Sequence, residues 1–341
     1  MIRVAIHSLS RRGGQAGGGF AEGGDTDPTV GLFSNAPTHI VARMNVEHSA
    51  RALLAGATRR RFTLPNRGVE IAALEWGSEG PLALLHHANG FCKGVWGLVA
   101  DALRSRWRLV AIDARGHGDS SKPEGPDTYV WDNFAEDLVA VAEQLTSAHG
   151  GAPIALGIGH SFGGTSMIGA AARRPALFER LLLVDPVIPP PPDPMLPAER
   201  QHHLRRLVEG ARRRRHHWPS RTAARAWCAQ RSLFDGWLPA AVELYLLDGM
   251  DERPDGSLEL KCPGAIEAAV FAGSSTLDVF ALARRVRCPA RILHAERGDF
   301  PRPLYDLIAA SMTDARVETI PTGHLVPMER PDIVIAAAER R

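Results

Sequence analysis

The stretch that most constrains the fold of this chain is residues 153–164, which reads P-I-A-L-G-I-G-H-S-F-G-G. An apolar run ends abruptly at Gly159 and a run of small residues begins at Gly164, so the pattern is strand, sharp turn, helix. Ser161 stands at the apex of this turn inside a G-x-S-x-G motif. The flanking glycines let the strand and helix approach closely, and the helix N-terminus points at the serine. The stretch therefore predicts a nucleophile elbow that exposes the Ser161 hydroxyl.

Short apolar runs typical of buried parallel strands alternate with helical patterns on both sides of the elbow. We therefore predict an α/β core in residues 56–188 and 286–341, with a mostly parallel sheet and helices on both faces. Residues 189–285 open with a proline run and continue as irregular helices without a strong strand signal, which indicates an inserted helical cap. Residues 1–55 are rich in glycine and have little to bury, so we expect a flexible extension there. The helices expected in the cap are 198–215, 220–231, 238–247, 263–271 and 277–284.

Bulk properties exclude several classes of protein. The 341-residue chain has a formal net charge of +2, which gives no argument for a nucleic-acid partner. No apolar run approaches the ~20 residues of a membrane span, and the N-terminus lacks the pattern of a signal peptide. The four cysteines are scattered without metal-ligand spacing, which is typical of free thiols in a reducing compartment. We expect a cytoplasmic monomer or homodimer with a small-molecule substrate, no metal and no cofactor.

A serine nucleophile needs a base and an acid, and the chain order expected around an elbow is serine, acid, histidine. His324 follows the last predicted strand and Gly323, so it is the candidate base. Asp299 is favoured as the acid because it precedes the last strand–helix unit. Asp185 closes the strand before the cap and is the alternative, either as the acid or as part of the pocket. Glu296 is a third candidate for the acid.

Two backbone N–H groups are expected to form an oxyanion hole. The N–H of Phe162 follows the nucleophile, and the N–H of Asn89 lies in the loop after the apolar run 82–87. Small neighbours at Ala88 and Gly90 let this loop approach a ligand closely, and losing one such donor costs about 10²–10³ in rate. Side chains expected to line the substrate pocket are His160, Phe91 and Trp96.

Taken together, these motifs resemble those of the α/β-hydrolase-fold superfamily. The matching pieces are H-H-A-N-G-F at 86–91, D-A-R-G-H-G-D-S at 113–120, G-H-S-F-G-G at 159–164, Asp299, and G-H at 323–324. The resemblance implies an eight-stranded α/β-hydrolase sheet with a cap, and an activity like that of serine esterases and lipases. It also implies that residues of the 113–120 loop brace the elbow rather than react. The stretch H-A-N-G-F departs from the family's usual His-Gly.

The sequence thus favours cleavage of an ester or related acyl bond of a small apolar substrate. Ser161 would attack the carbonyl, His324 would move the proton, and Asp299 would orient the imidazole. Meta-cleavage C–C hydrolases and cofactor-free haloperoxidases also resemble this chain and remain alternatives with the same triad. A catalytically silent binding protein is the alternative outside the enzymes. Dehalogenases and epoxide hydrolases of this fold use an aspartate nucleophile, which Ser161 disfavours.

Overall fold

The computed structural model describes residues 38–189 and 198–340. Within these ranges a central eight-stranded sheet and a separate three-stranded sheet are formed. In chain order the strands are β1 (Thr58–Leu64), β2 (Val69–Trp76), β3 (Leu82–His86), β4 (Arg108–Ile112), β5 (Leu156–His160), β6 (Leu181–Val184), β7 (His217–Trp218), β8 (Met250–Glu252), β9 (Leu258–Leu260), β10 (Ala290–Arg297) and β11 (Ala315–Gly323).

The central sheet has the strand order β1-β2-β4-β3-β5-β6-β10-β11. The pairs β1–β2 and β2–β4 are antiparallel, and the remaining pairs are parallel. Parallel strands end at the same edge of a sheet, so the loops after β3, β5, β6, β10 and β11 gather there. Alternate residues of β3 enter opposite faces: Leu82 and Leu84 pack in one apolar cluster, and Ala83 and Leu85 in the other. This two-sided burial explains why the strands read as continuous apolar runs.

Helices cover both faces of the sheet, as expected. They are α1 (Thr38–Ala55), α2 (Gly97–Leu103), α3 (Trp131–Ala148), α4 (Phe162–Arg173), α5 (Ala198–Arg212), α6 (Arg221–Cys228), α7 (Pro239–Asp248), α8 (Gly264–Ala272), α9 (Val279–Ala283), α10 (Arg302–Ser311), α11 (Val326–Glu329) and α12 (Pro331–Glu339). Helices α3, α4 and α10 pack on one face, and α2 and α12 on the other. Among the helices of residues 38–189 and 198–340, none combines the length and the apolar character needed to cross a membrane.

The cap between β6 and β10 differs from the expected helical block in two ways. It contains the antiparallel sheet β7-β9-β8, whose strands of two or three residues are too short to show a period of two in the sequence. Helix α9 also belongs to the core rather than the cap, because Val279 and Leu282 pack in the same cluster as Ile168 of α4 and Ile308 of α10. The core therefore resumes before residue 286. The proline run 190–197 lies outside the described residues.

Residues 38–55 form a helix, although the sequence predicted a flexible extension there. Helix α1 occupies residues 38–55 of the expected flexible extension, and residues 1–37 lie outside the described residues. Leu53 accepts a hydrogen bond from the Trp76 indole at 2.9 Å, and Glu47 pairs with Arg225 of the cap at 2.9 Å. Because Trp76 is in the core sheet, this helix contacts core and cap together.

Candidate active site

The elbow is built at the junction of β5 and α4. Ser161 lies between them with φ 55° and ψ −124°, a conformation that L-residues rarely adopt. A Cβ at Gly159 would lie 2.5 Å from the carbonyl oxygen of Gly163, and a Cβ at Gly163 would lie 2.5 Å from the carbonyl oxygens of His86 and His87. Only glycine fits at these two positions without moving the backbone. The glycines thus let the serine turn sit directly against the loop after β3.

Ser161, His324 and Asp185 form a continuous chain of hydrogen bonds. The Ser161 Oγ lies 2.8 Å from His324 Nε2, and the His324 Nδ1 lies 2.6 Å from Asp185 Oδ2. Asp185 is fully buried and Ser161 is nearly so. With the imidazole neutral, the hydroxyl donates to Nε2 and the Nδ1–H donates to the carboxylate. This is the arrangement of a nucleophile, a general base and an orienting acid.

The carboxylate that meets His324 is Asp185, whereas the sequence favoured Asp299. Strand β6 lies directly beside β5, and the register pairs His160 with Val184, so the next residues, Ser161 and Asp185, leave the sheet side by side. Asp299 lies in the loop after β10, one strand farther from the elbow. No hydrogen bond joins it to His324 within the described part of the chain. The structure therefore corrects the expected contact: the carboxylate that binds His324 Nδ1 is that of Asp185, not that of Asp299.

The second oxygen of Asp185 is held in place as well. Its Oδ1 accepts hydrogen bonds from the backbone N–H of Ala295 and from the Tyr305 hydroxyl, each at 2.9 Å. Tyr305 is completely buried on α10, and burial raises its pKa, so the hydroxyl keeps its proton and donates. These contacts aim Oδ2 at the imidazole. Tyr305 carries no motif, and the sequence held no signal for this role.

Burial and nearby carboxylates act in opposite directions on His324. Burial lowers its pKa, but the hydrogen bond and charge of Asp185 raise it, with further contributions from Asp299 and Glu329. The net pKa lies above the ordinary value of 6.5. Asp299 therefore influences the imidazole through space although it does not contact it. A base with a raised pKa takes up a proton more readily, as catalysis by the serine requires.

The loop after β3 is braced from beneath by the 113–120 loop. His117 Nε2 accepts the Gly90 N–H at 3.0 Å, and His87 Nε2 accepts the Ala114 N–H at 3.0 Å. Burial lowers the pKa of His117 to about 3 and that of His87 well below its usual range, so both rings are neutral. Arg115 makes a two-pronged ion pair with Asp137 at 2.6 and 2.7 Å. These residues make structural contacts rather than reactive ones.

The two expected oxyanion donors lie at the first residue of α4 and in the loop after β3. Phe162 is the first residue of α4, so its N–H has no partner inside the helix. In the described ranges no acceptor is found for the N–H of Asn89 or of its neighbour Ala88. The Asn89 side chain is used elsewhere, because its amide donates to the carbonyl of Glu267 in the cap at 3.1 Å. In this loop the backbone N–H groups of Ala88 and Asn89 are therefore the ones left for a ligand.

The three expected pocket residues have different surroundings. Phe91 contacts the rings of Trp237 and Tyr245 in the cap, with centroids 5.5 and 5.6 Å apart. Trp96 is completely buried in the apolar cluster on that face of the sheet. His160 lies behind His324, with its Nε2 2.8 Å from the His324 carbonyl oxygen. Their lining of a pocket stays a prediction.

The cap closes over the loop after β3 with a charged pair. The Arg214 guanidinium lies 2.5 Å from a Glu267 carboxylate oxygen and 2.6 Å from the Tyr245 hydroxyl. A Cβ at Gly90 would lie 2.7 Å from both Arg214 and Glu267, so this pair sits against the loop itself.

The four cysteines are buried and unpaired. Within residues 38–189 and 198–340, no cluster of three or more His, Cys, Asp or Glu side chains is arranged to hold a metal ion.

Comparison with known proteins agrees with this architecture. Residues 83–337 match the alpha/beta hydrolase family. The chain is 32% identical over 106 residues to 2-(acetamidomethylene)succinate hydrolase of Mesorhizobium japonicum (31% of this chain, 36% of the relative). It is 34% identical over 110 residues to a bifunctional esterase/perhydrolase of Acinetobacter calcoaceticus (32% of this chain, 37% of the relative). These matches span little more than a third of either relative.

Solved structures extend the likeness to the whole fold. The crystal structure of E-2-(acetamidomethylene)succinate hydrolase superposes with a TM-score of 0.68 at 23% identity, covering 83% of this chain and 97% of that one. At this identity the likeness shows the fold alone. The α/β-hydrolase fold expected from the motifs is confirmed by this superposition and by the family match. The family match covers residues 83–337, which include the elbow, both candidate acids, the histidine loop and the cap. This chain therefore belongs to the alpha/beta hydrolase family.

Proposed function

We propose that this chain is a serine hydrolase that cleaves a carboxylic ester or related acyl bond of a small substrate through an acyl-enzyme. The observation that carries the proposal is the unbroken hydrogen-bond chain from the Ser161 hydroxyl through His324 to Asp185, at 2.8 and 2.6 Å. In a family of hydrolases with varied substrates, this is the chemistry that such a chain of groups performs.

The reaction follows from the positions of the protons. The imidazole takes the Ser161 proton at Nε2 as Oγ attacks the substrate carbonyl carbon, and Asp185 stabilises the imidazolium through Nδ1–H. The N–H groups of Phe162 and Asn89 donate to the developing oxyanion, with Ala88 as the neighbouring candidate donor. The imidazolium then protonates the leaving group. Water attacks the acyl-enzyme with His324 again as the base, which restores the serine.

An apolar acyl or alcohol group suits the side chains beside this loop. Phe91, Trp237 and Tyr245 form a contiguous aromatic cluster where the cap meets the loop after β3. Aromatic walls with few polar groups are typical of pockets for small apolar ligands. The esterase among the curated relatives supports ester cleavage.

Labelling with a fluorophosphonate probe and a panel of p-nitrophenyl esters of increasing acyl length test the proposal together. We expect stoichiometric labelling of the wild type, no labelling of Ser161→Ala, and turnover that varies with acyl length. An intact, folded wild type that neither labels nor hydrolyses any ester would contradict catalysis and favour a binding protein. Labelling that persists in Ser161→Ala would contradict the assignment of the nucleophile.

A further inference from the structure

The backbone on both sides of His324 is bound by one carboxylate. Glu329, at the end of α11, accepts the Gly323 N–H at its Oε2 (2.8 Å) and the Leu325 N–H at its Oε1 (3.2 Å). A Cβ at Gly323 would lie 2.6 Å from Glu329 Oε1, so a side chain at this position would displace the carboxylate. The two oxygens of one side chain thus bind the backbone N–H groups of the residues immediately before and after His324.

The peptide group between His324 and Leu325 is also held at its carbonyl oxygen. The His160 ring donates from Nε2 to the His324 carbonyl oxygen at 2.8 Å, and the two rings pack with centroids 5.2 Å apart. Burial lowers the pKa of His160 to about 3, so the ring is neutral and a single Nε2–H makes this contact. Its Nδ1 is buried with no hydrogen-bond partner in the described part of the chain. Because His160 immediately precedes Ser161, this hydrogen bond joins the end of β5, which leads to the nucleophile, to the loop that carries His324.

The cap lies against the same carboxylate. A Cβ at Gly236 would lie 3.7–3.9 Å from the Glu329 side chain, and the Leu238 N–H donates to the Met328 carbonyl at 3.0 Å. Glu329 is partly buried beneath this contact. Docking of the cap therefore limits the freedom of the group that holds the histidine loop.

We propose that Glu329 and His160 are positioning residues, which clamp the backbone of residues 323–325 and so hold the His324 imidazole between Ser161 and Asp185. This proposal rests on the proposed serine hydrolase function. Three hydrogen bonds fix the loop over three consecutive residues, and the imidazole must bridge two partners at 2.8 and 2.6 Å at once. A displacement of about 1 Å in such a site costs on the order of 10²-fold in rate.

Glu329 has a second, electrostatic effect that a purely structural residue would lack. The charged or titratable groups that face His324 are Asp185, Asp299 and Glu329, together with the neutral ring of His160. Like the two aspartates, Glu329 stabilises the imidazolium and so raises the pKa of His324. Removing its charge therefore lowers that pKa, and the acid limb of the kcat/KM profile moves to lower pH.

Variants of Glu329 test the clamp. We expect Glu329→Ala, which removes both acceptors, to lower kcat by about 10- to 100-fold with little change in KM. Glu329→Gln keeps one acceptor oxygen, so its loss should be smaller, while its acid limb should move to lower pH. Asp332→Asn is the matched control, because it removes an exposed carboxylate on the next helix that pairs with Arg330. It should change neither kcat nor the acid limb.

His160 is tested by restoring its donor with a different side chain. His160→Ala should lower kcat by about 10- to 100-fold, and His160→Gln should recover most of the loss because its amide carries an N–H about as far from the backbone. The endpoint of fluorophosphonate labelling counts the competent serines, and kcat is expressed per labelled site. This correction separates loss of folded protein from loss of turnover.

The outcomes distinguish the clamp from the proposed function. Wild-type kcat per labelled site in Glu329→Ala and His160→Ala, with an unmoved acid limb in Glu329→Gln, would overturn the clamp and leave the serine hydrolase in place. Full ester hydrolysis by Ser161→Ala would overturn the function beneath it. A loss confined to the number of labelled sites would also overturn the clamp, because it indicates a role in folding only.

Discussion

Asp185 holds a strained backbone conformation immediately after β6. Its φ is 41°, and Ser161 beside it has a φ of 55°. A non-glycine residue in this region costs about 1–3 kcal/mol, and such strain persists where surrounding contacts fix it. Here the fixing contacts are the Ala295 N–H and the Tyr305 hydroxyl, which bind Oδ1. The strain therefore falls on the two residues whose side chains meet His324.

The first prediction separates the two candidate acids. We expect Asp185→Asn to lower kcat by about 10⁴-fold, because the amide oxygen stays with the Ala295 and Tyr305 donors and its nitrogen then faces Nδ1, which forces the wrong imidazole tautomer. Asp299→Asn is the matched control and should keep kcat within a few-fold of wild type. Ester hydrolysis by both variants at pH 8 checks this. A larger loss in Asp299→Asn than in Asp185→Asn would restore Asp299 as the acid.

A second prediction concerns the pH dependence of the wild type. Protonated His324 cannot accept the Ser161 proton, so kcat/KM falls as the pH drops through the pKa of His324. Because Asp185, Asp299 and Glu329 together raise this pKa more than burial lowers it, the midpoint should lie above 6.5. Asp299→Asn should move the midpoint to lower pH, since the Asp299 charge also raises that pKa. Profiles measured with an ester whose leaving group does not titrate test both statements; a wild-type midpoint below pH 6 would contradict them.

At the scale of the element, the elbow depends on contact between α4 and the loop after β3. We predict that Gly163→Ala lowers the free energy of unfolding by about 1–3 kcal/mol, because its Cβ would overlap the His86 and His87 carbonyls. It should also reduce kcat by shifting the loop that carries the oxyanion donors. Gly210→Ala on α5 is the control: nothing lies within 4 Å of a Cβ there, and it should stabilise the helix by up to about 1 kcal/mol. Urea unfolding and ester hydrolysis compare the two, and equal stability of both variants would refute the overlap.

The sequence patterns predicted the strands and the nucleophile of this site, but they did not predict which strands lie side by side. Continuous apolar runs mark the strands because both faces of the sheet are covered, and the elbow glycines mark the nucleophile. The choice between Asp185 and Asp299 depended on which strand lies beside β5, and neither periodicity nor turn chemistry encodes strand order. The contact of Tyr305 with Asp185 depends on the same tertiary placement, whereas Glu329 binds the backbone of Gly323 and Leu325 only six and four residues before it. The short strands of the cap were missed for a different reason, since two or three residues carry no period.

At the scale of the molecule, a buried charge network joins the cap to the core. The Lys93 ammonium is 1% exposed and lies 2.7 Å from Asp113, 2.8 Å from Asp119 and 3.2 Å from Asp248. Asp248 belongs to the cap, and so does Lys261, which pairs with Asp119 at 2.5 Å. Burial lowers the pKa of Lys93, but its three carboxylate partners together raise that pKa by more than burial lowers it, so the lysine stays charged. Removing one partner of a buried ion pair is destabilising, because it leaves the other charge buried and uncompensated.

The last prediction therefore concerns Lys93→Met. It removes the positive charge between the buried carboxylates of Asp113 and Asp248, whereas the partly exposed Asp119 keeps Lys261 as a partner, so we expect the free energy of unfolding at pH 7 to fall by about 3–5 kcal/mol. Burial raises the pKa of Asp248 and Lys93 lowers it, so without Lys93 that pKa lies still farther above its unfolded value, and stability should recover in part as the pH is lowered to 5. Arg61→Met, which breaks an exposed pair with Glu70, is the control and should cost less than about 1 kcal/mol. Urea unfolding at both pH values measures the two variants, and a Lys93→Met protein as stable as the control would show that the network does not hold the cap on the core.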